Sequence, residues 1–333
     1  YFTSARTAHE ARMGGILRGM WRWWGPPIVL IALIFTGLLF LSSGMNVFVN
    51  PRLAGFGAAA RRLGLAVLEP ERLDSAAREA VQDLKADMLV VAAYGKIFGP
   101  KFLGLFPQGG INMHPSLLPR HRGPAPLPAA ILQGDTETGI TIQRLALEMD
   151  AGNILLQETL VLDGTETSAS LYEWAAVRGA GLLVDALDGL AAGSLAEIEQ
   201  NQVDATYCCL LSKEDGAINW KLPAIEIDRL IRAYNPWPGA FTSLKGQKLS
   251  LWNSFVADSS AEPEGQACGQ VLQTGSVKGI GSSVDTRQGI LVQTGKGVLG
   301  ITQLQQAHKK SLDWKSFCNG FGSLAGEILG GSE

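Results

Sequence analysis

The stretch DMLVVAAYG, from Asp87 to Gly95, is short, almost wholly apolar and ends on a glycine. Apolar residues at every position are typical of a strand that is buried on both faces, as in a parallel sheet. The segment before it, DSAAREAVQDLKA (residues 74–86), has the spacing of an amphipathic helix that begins on an Asp or Ser cap. A helix that leads into a buried strand is the repeating unit of an α/β domain.

The same alternation continues in both directions along the chain. The predicted helices are LAGFGAAARRLGL (53–65), GPKFLGLF (99–106), PAPLPAAILQG (124–134) and TSASLYEWAAVRGAGLLVDALDGLAAG (167–193), and the predicted strands are AVLEP (66–70), Ile111 to Met113, TGITIQRLAL (138–147) and NILLQETLVL (153–162). Strands that alternate with helices predict a doubly wound, Rossmann-like domain with a parallel sheet over residues 51–195.

A second domain is predicted from a change of character after residue 195. Residues 196–222 are polar and irregular, as a linker would be, and PAIEIDRLIRAY (223–234) has helical spacing. The chain then consists of short strands separated by glycine, which is typical of a small β-barrel or sandwich. We therefore expect an OB-like β-barrel over residues 223–330.

The first fifty residues differ from the rest of the chain. PPIVLIALIFTGLLFL (26–41) is an apolar run preceded by the basic, Trp-rich segment RGMWRWW (18–24). The run is shorter than the roughly 20 residues of a spanning helix. Four interpretations stay open for this atypical segment, residues 1–50: a short membrane anchor within residues 26–49, a signal-like segment, a buried strand or helix of the first domain, or a wrong reading frame or start site.

The net charge and the cysteines bear on the partners and the compartment of the protein. The 333 residues carry a net charge of −3, so the chain has no overall basic field, and a nucleic-acid partner would have to bind a local basic patch. Cys208, Cys209, Cys268 and Cys318 match no metal or redox motif. We expect buried, reduced thiols in a cytoplasmic protein, and no metal site.

The richest chemistry lies in GGINMHPSLLPRHRG (109–123), where the strand from Ile111 ends. Ligands of an open parallel sheet bind at the carboxyl ends of its strands. Asn112 and His114, two residues apart on an extended chain, project to one side there, and Asp150 follows the next strand. This set suits acyl transfer. No Ser or Cys lies in the strand–turn–helix setting of a catalytic nucleophile, so we expect a substrate amine to attack the acyl donor directly. The same residues also fit a turn cap, a buried histidine and a loop carboxylate.

The region INMHPSLLPRHRGPAPLPAAILQGDTETGITIQRLALEMDAGNIL (111–155) resembles the signature of the folate-dependent formyltransferases. The resemblance extends over residues 60 to 330. Within that family the chain looks most like the branch that acts on methionyl-tRNA, through AYGKIFGPKFL (93–103), PRHRGPAP (119–126), ATYCCLLSKEDGAINW (205–220), IRAYNPWPGAF (231–241) and LVQTGKGVLGITQLQQAHKKSLDWKSFCNG (291–320).

The resemblance implies a reaction and a catalytic set. The reaction moves a formyl group from 10-formyltetrahydrofolate to the α-amino group of methionine on initiator tRNA, for translation initiation. The family's Asn, His and Asp fall on Asn112, His114 and Asp150. Asn112 and a protonated His114 would hold the developing oxyanion, and Asp150 would stabilise the charged histidine and help to move protons.

The resemblance also implies two ligand surfaces. The residues expected to contact folate are Ser116, Leu117, Leu118, Pro119, Tyr94, Gly95 and Ile97. The residues expected to meet tRNA are Arg120, Arg122 and Lys213, with a solvated-loop interpretation left open for the two arginines. Neither a metal nor a stable protein partner is expected, and membrane association is expected only if the apolar run is a genuine anchor. The alternative functions are a sugar-nucleotide formyltransferase and a membrane-tethered, non-catalytic tRNA- or folate-binding module.

Overall fold

A computed structural model of the chain describes residues 29–31, 46–48, 61, 66–68, 70–92, 94, 97–263, 265–276 and 287–331. The chain divides into two compact units. The first comprises residues up to 126, 137–161 and 172–208, and the second comprises residues 127–136, 162–171 and 209 onward.

The first unit is built on a mixed sheet. Its described strands are β1 (Val29–Ile31), β2 (Asn46–Phe48), β3 (Ala66–Leu68), β4 (Leu89–Ala92), β5 (Gly110–His114), β6 (Glu137–Arg144) and β7 (Ile154–Val161), in the order β3-β2-β1-β4-β5-β6-β7. The pairs from β3 to β5 are parallel, so the predicted α/β class is confirmed. The prediction of a wholly parallel sheet is wrong for β6 and β7, which pair antiparallel. Loop 145–153 between them is too short for the crossover that parallel strands need.

The position of β1 bears on the apolar N-terminal run. Val29–Ile31 belongs to that run and pairs in parallel with both β2 and β4, so this part of it is a strand of the sheet. The rest of residues 26–41, most of residues 1–50 and the predicted helix 53–65, apart from residue 61, lie outside the described residues. In the part of the chain that the structure describes, no helix has both the length and the apolar character needed to cross a bilayer.

Helices and a buried strand form the core of the first unit. Among the residues that the structure describes, the α-helices are α1 (Ser75–Asp83), α2 (Pro100–Leu103), α3 (Pro126–Gln133), α4 (Ser168–Ala191), α5 (Ala224–Ala233) and α6 (Trp314–Phe321), of which α5 and α6 belong to the second unit. The predicted Asp cap is present, since the Asp74 carboxylate accepts a hydrogen bond from the backbone N–H of Ala77 at 3.1 Å. All four residues of β4 are buried, as expected of a central parallel strand.

The second unit contains an antiparallel sheet. Its described strands are β8 (Ala240–Leu244), β9 (Gln247–Asp258), β10 (Val271–Ser276), β11 (Gln288–Gln293), β12 (Val298–Gln306) and β13 (Leu312–Asp313). Five of them follow the order β10-β11-β12-β9-β8, and β13 pairs with β12. The inner face is closely packed and includes Leu249, Leu251, Ile290, Leu299 and Ile301.

The prediction of a β-barrel is wrong for these strands, because β8 and β10 are edges that do not pair with each other. The irregular segment before the C-terminus hydrogen-bonds to both edges instead. Val271 of β10 donates its backbone N–H to Glu327, and Gly330 donates to the carbonyl of Ser243 in β8, at 2.8 and 2.9 Å. Irregular backbone therefore takes the place of the strand pairing that closes a true barrel.

The four cysteines are free thiols, but they are less buried than expected. Cys209 is exposed, and Cys208, Cys268 and Cys318 are half-buried. Burial raises the pKa of the Cys318 thiol above its usual value.

Candidate active site

The candidate site lies at the carboxyl end of β5, a strand packed on both faces. The first residue of the strand, Gly110, leaves no room for a side chain, because a Cβ there would lie 2.6 Å from the Leu145 side chain and 3.0 Å from the carbonyl oxygen of Leu89. Met113 packs against Gly179 of α4, where an added Cβ would lie 2.1 Å from its sulfur. Side chains alternate along a strand, so Met113 and Asn112 point to opposite faces of the sheet.

The structure brings the three predicted catalytic side chains together. Nδ2 of Asn112 lies 3.5 Å from Oδ1 of Asp150, and Nδ1 of His114 lies 3.6 Å from Oδ2. The side chains of His114 and Asp150 are only 6% and 14% exposed. Loop 145–153 carries Asp150 back to β5, and a backbone hydrogen bond of 2.8 Å from Arg144 to Asn153 closes that loop.

One ring nitrogen of His114 hydrogen-bonds to the backbone. Nε2 lies 2.9 Å from the backbone oxygen of His121. A carbonyl oxygen only accepts, so Nε2 carries the proton of this bond. The other ring nitrogen, Nδ1, faces the carboxylate of Asp150.

Two other groups fix the carboxylate of Asp150. Oδ1 accepts from Nε2 of Gln143 at 3.0 Å, and Oδ2 accepts from the backbone N–H of Gly123 at 2.8 Å. The β5–β6 register pairs Gln143 directly with Asn112, so both side chains reach Asp150 from the same face of the sheet. These two bonds are shorter than the contacts of Asp150 with Asn112 and His114, and the Nδ2 amide of Asn112, which has two N–H donors, bonds Asp150 with only one of them.

The turn after His114 is partly buried in the fold and partly accessible to a ligand. The hydroxyl of Thr141 donates to the carbonyl of Ser116 at 2.6 Å and accepts from the N–H of Leu118 at 3.1 Å. Ser116 and Leu118 are 0% and 3% exposed. Leu117 and Pro119 are half-buried. Of the four turn residues predicted to contact folate, only Leu117 and Pro119 thus offer appreciable side-chain surface.

The residues near β4 that are predicted to contact folate differ in their exposure. Tyr94 is buried and stacks on Phe98 with ring centroids 5.1 Å apart, and burial raises its pKa to about 12. Ile97 is 79% exposed. Gly95 lies outside the described residues.

Arg122 departs from the expectation for a tRNA-binding side chain, because it is 0% exposed. Its Nε and Nη2 donate to Oε1 of Gln200 at 3.0 and 2.7 Å. Its Nη1 donates to Oε1 of Gln202 and to the hydroxyl of Tyr207, at 2.9 and 3.1 Å. A guanidinium enclosed by protein acceptors has no surface for a phosphate. Of the other predicted cations, Arg120 is half-buried and Lys213 is exposed.

Two family models match the chain. A model described as "Formyl transferase" matches residues 51–187, and one described as "Formyl transferase, C-terminal domain" matches residues 210–322. Methionyl-tRNA formyltransferases of Treponema pallidum and Borrelia hermsii are 46% and 38% identical to it, over 75% and 86% of this chain and 75% and 88% of their own. The chain belongs to the methionyl-tRNA formyltransferase family.

Solved structures share the fold of this methionyl-tRNA formyltransferase family member. HypX from Aquifex aeolicus, in complex with tetrahydrofolic acid, has a TM-score of 0.57 at 18% identity, over 89% of this chain and 47% of HypX. WlaRD, a sugar 3N-formyl transferase with dTDP and 5-N-formyl-THF, has a TM-score of 0.59 at 16% identity, over 85% of this chain and 99% of WlaRD. At these identities the likeness shows the fold alone.

Two buried glutamines that contact Asp150, Gln143 and Gln200, were not predicted from the sequence. Gln143 was recoverable in principle, because an antiparallel pairing of β5 with β6 places it opposite Asn112. Gln200 lies in the polar segment that was interpreted as a linker, and no local pattern marks it. Its Nε2 nevertheless donates to the carbonyls of Asp150 and Gly152 at 2.8 and 2.7 Å.

Proposed function

We propose that this chain transfers the formyl group of 10-formyltetrahydrofolate to the α-amino group of methionyl initiator tRNA, in the cytoplasm where that tRNA is charged. The observation that carries the proposal is the meeting of Asn112, His114 and Asp150 at one strand end, in a member of the methionyl-tRNA formyltransferase family. The relatives at 38–46% identity favour this substrate over an amino sugar.

The chemistry is a direct acyl transfer. The amine nitrogen attacks the formyl carbon, a C–N bond forms and the formyl oxygen becomes an oxyanion. The bond from that carbon to N10 of the folate then breaks, the amine loses a proton and N10 gains one. N10 is an aryl-amine nitrogen and hence a better leaving group than N5, which favours the 10-formyl isomer.

Each of the three side chains has a role consistent with its contacts. Nδ2 of Asn112 has a second N–H to offer an oxyanion, since it bonds Asp150 with only one, and Nδ1 of a protonated His114 would share its proton between the oxyanion and Asp150, 3.6 Å away. One such donor contributes about 10²–10³ in rate. Asp150 balances the charge of the imidazolium and accepts the amine proton through a bound water, a contribution of about 10²–10⁴.

The donor side of the site is apolar. Ile97 follows β4, and Leu147 and Met149 lie in loop 145–153; these side chains are 79%, 63% and 53% exposed. Large apolar side chains exposed beside a polar cluster are typical of a binding surface. We place the flat ring system of the folate against these side chains and against Leu117 and Pro119.

The tRNA side is proposed to use the accessible cations. Arg120 and Lys213 would contact phosphates, which position the acceptor end without reading its sequence. Arg122 is left out of this set because it is buried.

The test is a formylation assay with purified full chain, 10-formyltetrahydrofolate and methionyl-tRNA. His114→Ala and Asp150→Asn should each lower kcat by at least about 100-fold. His308→Ala and Asp83→Asn change the same residue types at exposed positions and serve as matched controls with wild-type rates. A dTDP-amino sugar replaces the tRNA in a parallel reaction. Near-wild-type formylation by either site variant, or preference for the sugar, would refute the proposal.

A further inference from the structure

A chain of buried polar side chains runs from Arg122 to the carboxylate of Asp150. Arg122 donates twice to Oε1 of Gln200, Nε2 of Gln200 lies 3.3 Å from Oε1 of Gln143, and Nε2 of Gln143 donates to Oδ1 of Asp150. Arg122, Gln143 and Gln200 are 0%, 2% and 3% exposed. Each donor lies on the side away from Asp150, so the chain begins on a positive charge and ends on a negative one; its middle contact is the longest, because Nε2 of Gln200 has two N–H donors for three acceptors.

The direction of each amide follows from its neighbours. Oε1 of Gln200 faces the donors of a guanidinium, and its Nε2 faces carbonyl oxygens, so exchanging oxygen and nitrogen would place like groups against each other. Gln143 uses its oxygen toward Gln200 and therefore presents its N–H to Asp150. Aligned hydrogen bonds in a buried site strengthen one another.

Gln200 also holds the backbone of the Asp150 loop. Asp150 has φ of +52°, in the left-handed region that side-chain-bearing residues rarely adopt. The carbonyls of Asp150 and Gly152 both accept from Nε2 of Gln200, at 2.8 and 2.7 Å. Two short bonds from one buried amide thus clamp the backbone on both sides of residue 151.

We propose that Gln143 and Gln200 are positioning residues for formyl transfer. Gln200 holds the loop conformation, and Gln143 sets the direction of the Asp150 carboxylate so that Asn112 and His114 keep their donors for the substrate. This inference rests on the proposed function. It assigns a task to the two glutamines that differs from filling the core.

Two variants separate the two tasks. Gln143→Met keeps side-chain length but removes the donor to Oδ1 of Asp150. Gln200→Glu keeps an acceptor for Arg122 but removes the donor to the carbonyls of Asp150 and Gly152. Both should lower kcat by about 10- to 100-fold, with KM for folate and for methionyl-tRNA within twofold of wild type.

Gln293→Met is the matched control. Gln293 is 3% exposed and donates to the backbone carbonyls of Thr294 and Gly297 in the second unit, so this change removes comparable buried bonds. It should lower the melting temperature and leave kcat unchanged.

A second readout does not depend on activity. The ¹³C resonance of the Asp150 carboxyl, assigned by its loss in Asp150→Asn, is recorded at one fixed pH in wild type, Gln143→Met and Gln293→Met. Oδ1 of Asp150 loses its 3.0 Å bond from Nε2 of Gln143 in the first variant only. The carboxyl resonance should therefore move in Gln143→Met alone.

The outcomes are distinguishable. An active wild type beside site variants with unchanged kcat and an unchanged Asp150 resonance would overturn the positioning role and leave the proposed function standing. A wild type that cannot formylate methionyl-tRNA would overturn the proposed function, and the positioning role in catalysis with it. A fall in kcat together with the moved Asp150 resonance supports the inference.

Discussion

Replacing Arg122 with lysine tests whether this arginine is structural or binds tRNA. Lysine keeps the charge and most of the length, so a phosphate contact would survive in weakened form. The planar fork of arginine, in contrast, reaches three separate acceptors, on Gln200, Gln202 and Tyr207. A single ammonium cannot reproduce that geometry.

The expected effect is a loss of stability. The lysine ammonium keeps about one of the three acceptors, and the two others lose a charged donor while they remain in place. Each such loss costs about 1–3 kcal/mol when the acceptor is buried. Gln202 and Tyr207 are both exposed and water replaces their partner, so the shares of these two lie at the lower end. Arg122→Lys should therefore lower the free energy of unfolding of the first unit by about 2 kcal/mol.

The assay measures stability and tRNA binding separately. A chain with two units need not unfold in one step, so urea unfolding is followed by hydrogen exchange of peptides from each unit. Affinity for tRNA is measured between 50 and 200 mM salt. The salt dependence should be unchanged in Arg122→Lys, whereas Arg120→Ala should reduce its slope by about 1, as loss of one phosphate contact does. Unchanged stability with a reduced slope in Arg122→Lys would refute the structural role.

Two further changes probe the loop that carries Asp150. Gly152→Ala would put a Cβ 1.8 Å from the carbonyl of Arg144, so the loop must shift; we expect a loss of about 2–4 kcal/mol in urea unfolding and a larger fall in kcat than in stability, and wild-type values for both would contradict this. The pKa of Glu197 is lowered chiefly by its hydrogen bond from Arg144, so its contribution is present above the unfolded pKa near 4 and is lost as pH falls through the lower folded pKa. Glu197→Gln should therefore destabilise by less than about 1 kcal/mol at pH 7 and not at pH 3, and a deficit that persists in acid would exclude the ion pair as its cause.

Local patterns in the sequence were sufficient to predict the elements around the site. The apolar run at Leu89 is a buried parallel strand, and the helix before it begins on Asp74, because hydrophobic period and capping act over a few residues. Strand direction was predicted less well. The antiparallel β6–β7 pair follows from the short loop 145–153, but the antiparallel β5–β6 pair depends on packing between segments that are not adjacent in the chain. The closure of the second sheet failed for the same reason, since it depends on residues just before the C-terminus.

The candidate site shows the same division. Asn112 and His114 were predictable as neighbours because both lie on one strand, and Asp150 was placed beside them because it follows the next strand; the resemblance then added their catalytic roles. Arg122 looked like a loop cation because nothing in PRHRG indicates that residues 200–207 cover it. Charge alone does not distinguish a solvated arginine from one that is enclosed by acceptors.

The contacts of Asp150 show why a catalytic set needs supporting residues that do not themselves take part in the reaction. A carboxylate bound tightly by Asn112 and His114 would use the donors that a substrate oxyanion requires. Gln143 and Gly123 instead take the short bonds, at 3.0 and 2.8 Å, and hold the carboxylate while its two catalytic neighbours stay 3.5 and 3.6 Å away. Preorganised donors stabilise a transition state only if they are unspent in the ground state. On this reasoning, the glutamines should affect kcat while leaving substrate affinity unchanged.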